Sequence, residues 1–228
     1  MTQPDQPIDE IEIGRKFFAG PCEFIWAAND INSLPKLGPP EIAFAGRSNV
    51  GKSSLLNALT NRNHLARVSN TPGRTQQLNF FALGAPPPDE LMRLVDLPGY
   101  GYAAVGKGKI DTWTKLIHAY MRGRPSLARV YVLIDGRHGL KDTDMQMFDL
   151  LDRAAMSYQV VLTKRDSVKL AEQAERIKSV EAGLAKRAAA FPEVLFTSSE
   201  TGEGIEDLRA AIVRLMAERG HELRPNRD

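Results

Sequence analysis

The stretch GRSNVGKS at residues 46–53 decides the fold. It fits the pattern G-x-x-x-x-G-K-[ST] at every position, follows the apolar run Ile42–Ala45 and precedes the amphipathic run Leu55–Leu59. In this strand–loop–helix setting, glycines let the backbone wrap around phosphate oxygens, and amides of the helix N-terminus point at the negative charge. A glycine-rich turn without a ligand is the simpler alternative, and the flanking runs disfavour it. We predict a phosphate-binding loop of Gly46, Arg47, Ser48, Asn49, Val50, Gly51, Lys52 and Ser53.

Outward from this loop, short apolar runs alternate with longer amphipathic runs, which is typical of an α/β fold. Runs such as Val130–Ile134 and Val160–Leu162 are continuously apolar, as expected for parallel strands covered by helices on both faces. A helical pattern extends from Leu170 to Ala189, with Leu170 on its apolar face. The runs Gln77–Leu83 and Leu91–Val95 are joined by a short proline-containing loop and predict an antiparallel hairpin at a sheet edge.

Length, composition and charge exclude several classes of protein. The chain has 228 residues, of which 43% are hydrophobic and 25% charged, so disordered, collagen-like and coiled-coil chains are excluded. Apolar runs fall far short of the roughly 18 residues of a membrane helix, and the polar N-terminus lacks a secretory signal, so we expect a cytoplasmic protein without membrane contact. The single Cys22 forms no internal disulfide, and four scattered histidines show no metal-ligand spacing. The net charge of +2 neither requires nor excludes a nucleic-acid partner.

Proline density suggests how the chain is divided. Residues 1–40 are rich in prolines that break any long helix, so we expect a polar tail followed by an irregular arm. The expected units are a flexible tail over 1–14, an N-terminal arm over 15–40 packed on the main domain, a single domain over 41–218 and a polar C-terminal tail over 219–228.

The predicted phosphate loop favours a functional interpretation of a second motif, Asp96-Leu97-Pro98-Gly99, which follows an apolar run. Lys52 is expected to reach the β- and γ-phosphates, and the Ser53 hydroxyl to bind Mg²⁺. Asp96 is placed to hold that ion through water, and the Gly99 amide to sense a γ-phosphate. Without the phosphate loop, a common turn would be the better interpretation of this motif.

Two further motifs follow predicted strands and favour guanine. Asp166, in Thr163-Lys164-Arg165-Asp166, can accept hydrogen bonds from guanine N1–H and the 2-amino group, donors that adenine lacks, while the aliphatic stem of Lys164 covers the base. Backbone amides near Ser198 and Ser199, in Thr197-Ser198-Ser199, could bind guanine O6. Each motif is also ordinary loop chemistry when taken alone.

Two segments are candidates for switches and one cluster for a partner surface. Thr75, in the turn-rich stretch Thr71–Gln76, is expected to be a second Mg²⁺ ligand that closes on the metal only when a γ-phosphate is present. Residues 99–108 are rich in glycine and form the second candidate. A cluster of basic residues could bind RNA phosphates: Lys107, Lys109, Arg122, Arg124 and Arg129. An ordinary solvated surface is an equal alternative for this cluster.

The ordered set GRSNVGKS, TPGRTQ, DLPGYGY, TKRD and TSS resembles the EngB/YihA/YsxC family of bacterial GTPases over about residues 15–218. The resemblance implies a three-layer P-loop GTPase fold, called a G domain, with a mostly parallel six-stranded sheet and one antiparallel edge strand. It also implies GTP hydrolysis to GDP with Mg²⁺, a monomer that helps assemble the large ribosomal subunit from rRNA and ribosomal protein, and a role in cell division and septation. When the family's functional segments are placed on this sequence, the first switch is Gly73, Arg74, Thr75, Gln76 and Gln77. The second switch begins at Asp96, Leu97, Pro98 and Gly99. The base pocket comprises Thr163, Lys164, Arg165 and Asp166 beside Thr197, Ser198 and Ser199.

Two departures from the wider GTPase superfamily bear on the mechanism. Many GTPases have asparagine where Thr163 stands, so the amide bridge that braces the base pocket is expected to be missing and the affinity modest, although the family tolerates threonine. The residue after Gly99 is Tyr100, where many GTPases place a glutamine that orients water, so hydrolysis by the domain alone is expected to be slow. Catalysis would then involve Lys52 and Thr75, with help from Asn49 and a bound K⁺, from backbone groups or from a partner; Asn49 as a plain turn residue is equally plausible.

Two alternatives to a GTPase remain at the sequence level. One is a P-loop kinase or ATPase, and the other is a non-catalytic module that holds guanine nucleotide as a structural ligand.

Overall fold

The computed structural model describes residues 9–63, 65, 77–100 and 107–223, and of these it describes 107–114 by their backbone alone. The helices are α1 (Glu10–Ala19), α2 (Lys52–Leu59), α3 (Lys107–Gly123), α4 (Asp142–Arg153), α5 (Leu170–Leu184) and α6 (Ile205–Glu218). The strands are β1 (Cys22–Ala28), β2 (Glu41–Gly46), β3 (Leu78–Leu83), β4 (Met92–Asp96), β5 (Leu127–Asp135), β6 (Tyr158–Thr163) and β7 (Leu195–Phe196). Among these described residues, no helix is long and apolar enough to cross a bilayer.

The strands form one mixed sheet in the order β1-β3-β4-β2-β5-β6-β7. The strands β2, β4, β5, β6 and β7 are parallel to their neighbours in this group, whereas β3 is antiparallel to both β4 and β1. The expected α/β class and the β3–β4 hairpin are therefore confirmed. Over the described residues the sheet has seven strands instead of six, and β3 is not the edge strand, because β1 from the N-terminal segment covers it.

Helices pack on both faces of the sheet, as the continuous apolar strands predicted. Alternate residues of β2 point to opposite faces, so that Ala43 and Ala45 join the cluster containing Ile117 and Phe148, while Ile42 and Phe44 join the other. The predicted helix from Leu170 is confirmed as α5. Leu170 itself is 81% exposed, contrary to its expected place on the apolar face. The residues of α5 that are buried, Val180 and Leu184, lie towards its opposite end.

The N-terminal segment is more regular than its prolines suggested. Helix α1 begins at Glu10 with Asp9 as its N-cap, since the Asp9 carboxylate accepts a hydrogen bond from the Glu12 amide at 3.1 Å. The expectation of an irregular arm was wrong because Pro21 lies between α1 and β1 and the next proline is Pro35, so neither element is interrupted. Helix α1 packs on α6, where the Gly14 backbone comes so close that an added Cβ would lie 2.9 Å from Arg209 Cβ. The domain boundaries themselves remain a prediction.

A buried charge network lies at the end of β2 opposite the phosphate loop. Glu41 is fully buried and accepts hydrogen bonds from Arg124 Nη2 at 2.6 Å and from the Tyr120 hydroxyl at 2.9 Å. Arg124 Nη1 also donates to the Pro35 carbonyl at 2.7 Å, which fastens the chain that leads from β1 into β2. The guanidinium of Arg124 thus satisfies a buried carboxylate that would be costly if left unpaired.

Two of the five residues predicted to form a basic surface, Arg124 and Arg129, do not lie on the surface. Arg124 and Arg129 are only 7% and 6% exposed, and Arg129 lies over the Phe191 ring and donates to Gln159 Oε1 at 3.1 Å. Arg122 is exposed, whereas the side chains of Lys107 and Lys109 lie outside the described residues. Burial in the fold, which local sequence cannot reveal, removes Arg124 and Arg129 from any RNA-binding surface.

Candidate functional site

The phosphate loop has the backbone shape that its glycines predicted. Asn49 and Gly51 adopt left-handed conformations with φ of 65° and 100°, and α2 begins directly afterwards at Lys52. A Cβ added to Gly46 would lie 2.7 Å from Val50 Cγ1, so the position excludes any side chain. Among the described residues, no side-chain hydrogen bond caps the start of α2, an arrangement in which amides of a helix N-terminus can bind an anion.

Lys52 and Asp96 meet at the carboxyl edge of the parallel sheet. Strands β2 and β4 pair with Phe44 opposite Asp96, so the loop after β2 and the turn after β4 lie side by side. The Lys52 ammonium forms an ion pair with Asp96 Oδ1, and both side chains are 13% exposed. This contact places the residue expected to bind phosphate beside the residue expected to act on the metal.

The residues present suit Mg²⁺, which prefers hard oxygen donors and usually keeps several waters. Asp96 supplies a carboxylate, and Ser53, which directly follows its ion-pair partner Lys52, supplies a hydroxyl. Within the described ranges, no group of three or more His, Cys, Asp or Glu could hold a metal on its own. Such a donor set fits an ion that completes its shell with water and phosphate oxygens.

The turn after β4 packs directly on the phosphate loop. A Cβ added to Gly99 would lie 3.0 Å from Ser48 Oγ and 3.2 Å from Ser48 N, so the two backbones are in close contact. The Tyr100 amide donates to the Gly46 carbonyl at 3.1 Å, and the Ser48 amide donates to the Tyr100 carbonyl at 3.3 Å. The Gly99 amide therefore lies beside the phosphate loop.

The Tyr100 side chain points into the core. It is 7% exposed, and its hydroxyl donates to Asp144 Oδ1 on α4 at 2.9 Å. Burial, together with the nearby Asp144 carboxylate, raises the pKa of Tyr100 well above its ordinary value, so the phenol remains a neutral donor. Sequence reasoning missed Asp144, since it lies 44 residues from Tyr100 in a helix without a motif.

Thr163 connects the candidate base pocket to the candidate phosphate loop. Its hydroxyl lies 2.7 Å from the Val50 carbonyl oxygen and 3.3 Å from that of Ile134. Thr163 has no side-chain amide, but its hydroxyl makes a bridge of its own, because Thr163 lies at the end of β6 within hydrogen-bond distance of the loop. The Arg165 amide donates to the Thr197 carbonyl at 3.0 Å, which joins the two base-pocket motifs.

Asp166 and Ser198 come together as the second half of that pocket. Asp166 accepts hydrogen bonds from Ser198 Oγ at 2.5 Å and from Ser167 Oγ at 2.9 Å, and these bonds lower the pKa of the Asp166 carboxyl below its ordinary value. The Ser198 amide is already used, since it donates to the Glu203 carbonyl at 2.9 Å. Of the two amides considered for guanine O6, Ser199 is thus the remaining candidate.

Lys164 links the base pocket to the phosphate loop, with help from a residue the sequence did not reveal. Its ammonium donates to the Asn49 carbonyl at 2.9 Å and to Asp135 Oδ2 at 2.8 Å. Partial burial raises the pKa of the Asp135 carboxyl, but hydrogen bonds from Arg137 and Lys164 outweigh it, so the pKa is held well below its usual range. Asp135 ends β5 and could have been suspected from its position at the carboxyl edge of a parallel strand.

Two expectations are not settled by this geometry. The left-handed φ of 65° at Asn49 agrees with its interpretation as a turn residue, and its role as a K⁺ ligand stays a prediction. Gly73, Arg74, Thr75 and Gln76 lie outside the described residues, while Gln77 is exposed just before β3.

Comparison with known proteins points to one family. A family model described as a 50S ribosome-binding GTPase matches residues 41–164. A probable GTP-binding protein EngB of Rhodopseudomonas palustris is 63% identical over 219 residues, which cover 96% of this chain and 100% of that protein. Its counterpart in Bradyrhizobium diazoefficiens is 58% identical over 215 residues, covering 94% of this chain and 98% of the relative.

Solved structures share the fold. A crystal structure of a probable GTP-binding protein EngB has a TM-score of 0.58 at 22% identity and covers 78% of this chain and 100% of its own. An Aquifex aeolicus Era variant bound to GDP and AlF4⁻ has a TM-score of 0.63 at 18% identity and covers 78% of this chain and 57% of its own.

Proposed function

The chain belongs to the 50S ribosome-binding GTPase family, and from this premise we propose that it is a Mg²⁺-dependent switch that hydrolyses GTP to GDP during assembly of the large ribosomal subunit. One observation carries the proposal: the base-pocket motif is hydrogen-bonded directly to the phosphate loop, through Thr163 to Val50 and through Lys164 to Asn49. These contacts join the motif proposed to bind guanine to the loop proposed to bind phosphate.

Each side chain has a role that its geometry supports. Lys52 would neutralise the β- and γ-phosphates in place of its present partner, Asp96. When bound, Mg²⁺ would neutralise charge on the phosphate oxygens; Ser53, Thr75 and, through water, Asp96 would hold it. The Gly99 amide, beside Ser48, would contact the γ-phosphate.

Guanine selection rests on Asp166. Its two oxygens are oriented by Ser198 and Ser167, and as an ionised carboxylate it can accept two hydrogen bonds from guanine. Adenine offers neither donor at those positions. This chemistry favours GTP over ATP and weighs against a P-loop kinase or ATPase.

We expect hydrolysis by the isolated protein to be slow, because the Tyr100 hydroxyl is buried on Asp144 and cannot orient an attacking water. Single-turnover hydrolysis of GTP, in the presence of excess ATP as competitor, should be faster in K⁺ than in Na⁺, and Asn49→Ala should erase that difference. Equal rates in both salts would exclude the K⁺ route and leave a partner-supplied group. If phosphate release stayed at background with K⁺, Mg²⁺ and large subunits all present, the non-catalytic module would be favoured.

The ribosomal role is tested by co-sedimentation with separated ribosomal subunits under GDP and a non-hydrolysable GTP analogue. A tenfold preference for the analogue corresponds to about 1.4 kcal/mol, which one metal-ligand contact could supply. Thr75→Ala should retain GDP affinity yet lose the GTP-dependent gain in large-subunit binding, whereas Thr201→Ala, at an exposed threonine, should not. If Thr75→Ala keeps the wild-type ratio, Thr75 is not the switch residue.

We further propose that the protein acts as a cytoplasmic monomer and that its loss disturbs cell division and septation, as the family resemblance implies. Depleting it should first cause incomplete large subunits to accumulate and then produce elongated cells. Division defects without any change in ribosomal particles would separate the two roles.

A further inference from the structure

Tyr100, which follows the Asp96–Gly99 turn, is held on both its backbone and its side chain. Its backbone pairs with the phosphate loop through Gly46 and Ser48, at 3.1 and 3.3 Å. Its hydroxyl donates to Asp144 Oδ1 at 2.9 Å, and Asp144 is fully buried. The start of the second switch is therefore fastened to the phosphate loop on one side and to α4 on the other.

Asp144 is itself fixed in place. It lies in the first turn of α4, and its second oxygen, Oδ2, accepts a hydrogen bond from the Lys141 amide at 2.9 Å. Both carboxylate oxygens are thus engaged, one by the helix and one by Tyr100. A hydrogen bond to a buried carboxylate is among the stronger ones in proteins, and removing its donor leaves a buried acceptor unpaired.

We propose that the Tyr100–Asp144 hydrogen bond is a tether that positions the Gly99 amide for the γ-phosphate, so that both residues are positioning residues for GTP recognition. Gly99 has little space to move beside Ser48. Because Tyr100 is the next residue in the chain, a small displacement of Tyr100 would also move the Gly99 amide. GDP has no γ-phosphate and does not use that amide. The tether should therefore favour GTP over GDP instead of strengthening binding of both.

The inference rests on the proposed function but makes a separate claim. A purely structural role for the buried pair would lower the stability of the fold without changing the preference between the two nucleotides. The preference, expressed as the ratio of two dissociation constants, is the quantity that distinguishes positioning from packing.

The test measures dissociation constants of fluorescent GDP and of a fluorescent non-hydrolysable GTP analogue, with Mg²⁺, for the full chain. Tyr100→Phe keeps the ring and removes the hydroxyl. We expect its affinity for the analogue to fall about fivefold, the equivalent of about 1 kcal/mol, while GDP affinity stays within about twofold.

Tyr120→Phe is the matched control. It removes another buried phenol-to-carboxylate hydrogen bond of the same length, 2.9 Å to Glu41, at the opposite end of the sheet. It should lower the midpoint of urea unfolding without changing the nucleotide ratio. If Tyr100→Phe and Tyr120→Phe lower stability alike and both leave the ratio at the wild-type value, the tether is only structural and the proposal is overturned.

Variants of Asp144 test the other partner. Asp144→Ala should reproduce the selective loss of analogue affinity and make the Tyr100→Phe change ineffective, as a double-mutant cycle would show. Asp144→Asn should keep the wild-type ratio, because its amide can still pair with both the tyrosine hydroxyl and the Lys141 amide. A loss in Asp144→Asn as large as in Asp144→Ala would overturn the hydrogen-bond tether.

Failure of the inference can be told apart from failure of the proposed function. If wild-type protein binds neither labelled guanine nucleotide, the proposed function fails. If wild type binds both and prefers the analogue, but the Tyr100 and Asp144 variants keep that preference, only the tether fails.

Discussion

Thr163 shows how one hydroxyl can serve where many GTPases use an amide. The side chain is 3% exposed, and its oxygen is closer to the Val50 carbonyl, at 2.7 Å, than to that of Ile134, at 3.3 Å. Because a hydroxyl has one proton, it can donate fully to only one of them, and the shorter distance favours Val50. The Thr163 hydroxyl thus contributes one of two hydrogen bonds to the loop over residues 46–53, and the Lys164 ammonium contributes the other, to the Asn49 carbonyl.

The role of Asp166 in selecting guanine can be tested by a single substitution. Replacing it with asparagine turns one carboxylate acceptor into a donor, which suits the carbonyl at position 2 of xanthine. Asp166→Asn should weaken GTP binding by about tenfold or more, as expected when a charged hydrogen bond is lost, and should improve binding of xanthosine triphosphate. Competition of the two nucleotides against labelled GDP measures both effects.

Asp207→Asn is a suitable control for that substitution, since Asp207 is an exposed aspartate in the first turn of α6. It should leave both affinities unchanged. Equal GTP affinity in wild type and Asp166→Asn would remove Asp166 from the base pocket and reopen the question of base specificity.

At the scale of elements, α6 supports the helix that carries the phosphate loop. Arg209 on α6 donates to the Leu59 and Ala58 carbonyls, both at 2.9 Å, and to Asn61 Oδ1 at 2.8 Å. The Leu59 and Ala58 carbonyls lie at the C-terminal end of α2, where helical amides run out, and Ala58 also accepts a longer hydrogen bond from the Asn61 amide at 3.4 Å. Burial lowers the pKa of Arg209, yet a guanidinium stays charged at neutral pH and favours this end of a helix dipole.

Arg209→Met should therefore destabilise the protein by about 2 kcal/mol or more, because it removes a charged donor from the buried Leu59 carbonyl and from two further acceptors while keeping an apolar stem of similar length. Arg214→Met on the same helix is the matched control. Its side chain is 44% exposed and pairs with Glu10 at 3.0 Å, so its loss should cost at most about 1 kcal/mol. Urea unfolding measures both, and equal losses would contradict the capping role of Arg209.

Across the whole molecule, the two ends of the sheet differ in how exposed their charged side chains are. The carboxyl end of β2 carries the phosphate loop, where polar groups such as Lys52 and Asp96 remain partly accessible. The opposite end holds Glu41 in a fully buried network with Arg124 and Tyr120. Charges that look alike in the sequence are therefore candidates for ligand binding at one end and structural at the other.

The N-terminal segment belongs to this whole-molecule organisation. Strand β1 pairs with β3 and covers what would otherwise be the sheet edge, while α1 packs on α6. Edge strands with open hydrogen-bonding groups favour unwanted association, so the added strand moves that edge outward by one position.

The sequence by itself determined the α/β class, the phosphate loop and the positions of the candidate nucleotide motifs, because these depend on local spacing. Glycines at 46 and 51, apolar runs of strand length and polar residues directly after them are properties of short segments. The tertiary structure alone decided the contacts that join those segments. Thr163 lies 113 residues from Val50, and Tyr100 lies 44 residues from Asp144, so both contacts depend on strand order and register. The same holds for the burial of Arg124 and the seventh strand, since local periodicity does not specify which distant elements become neighbours in the fold.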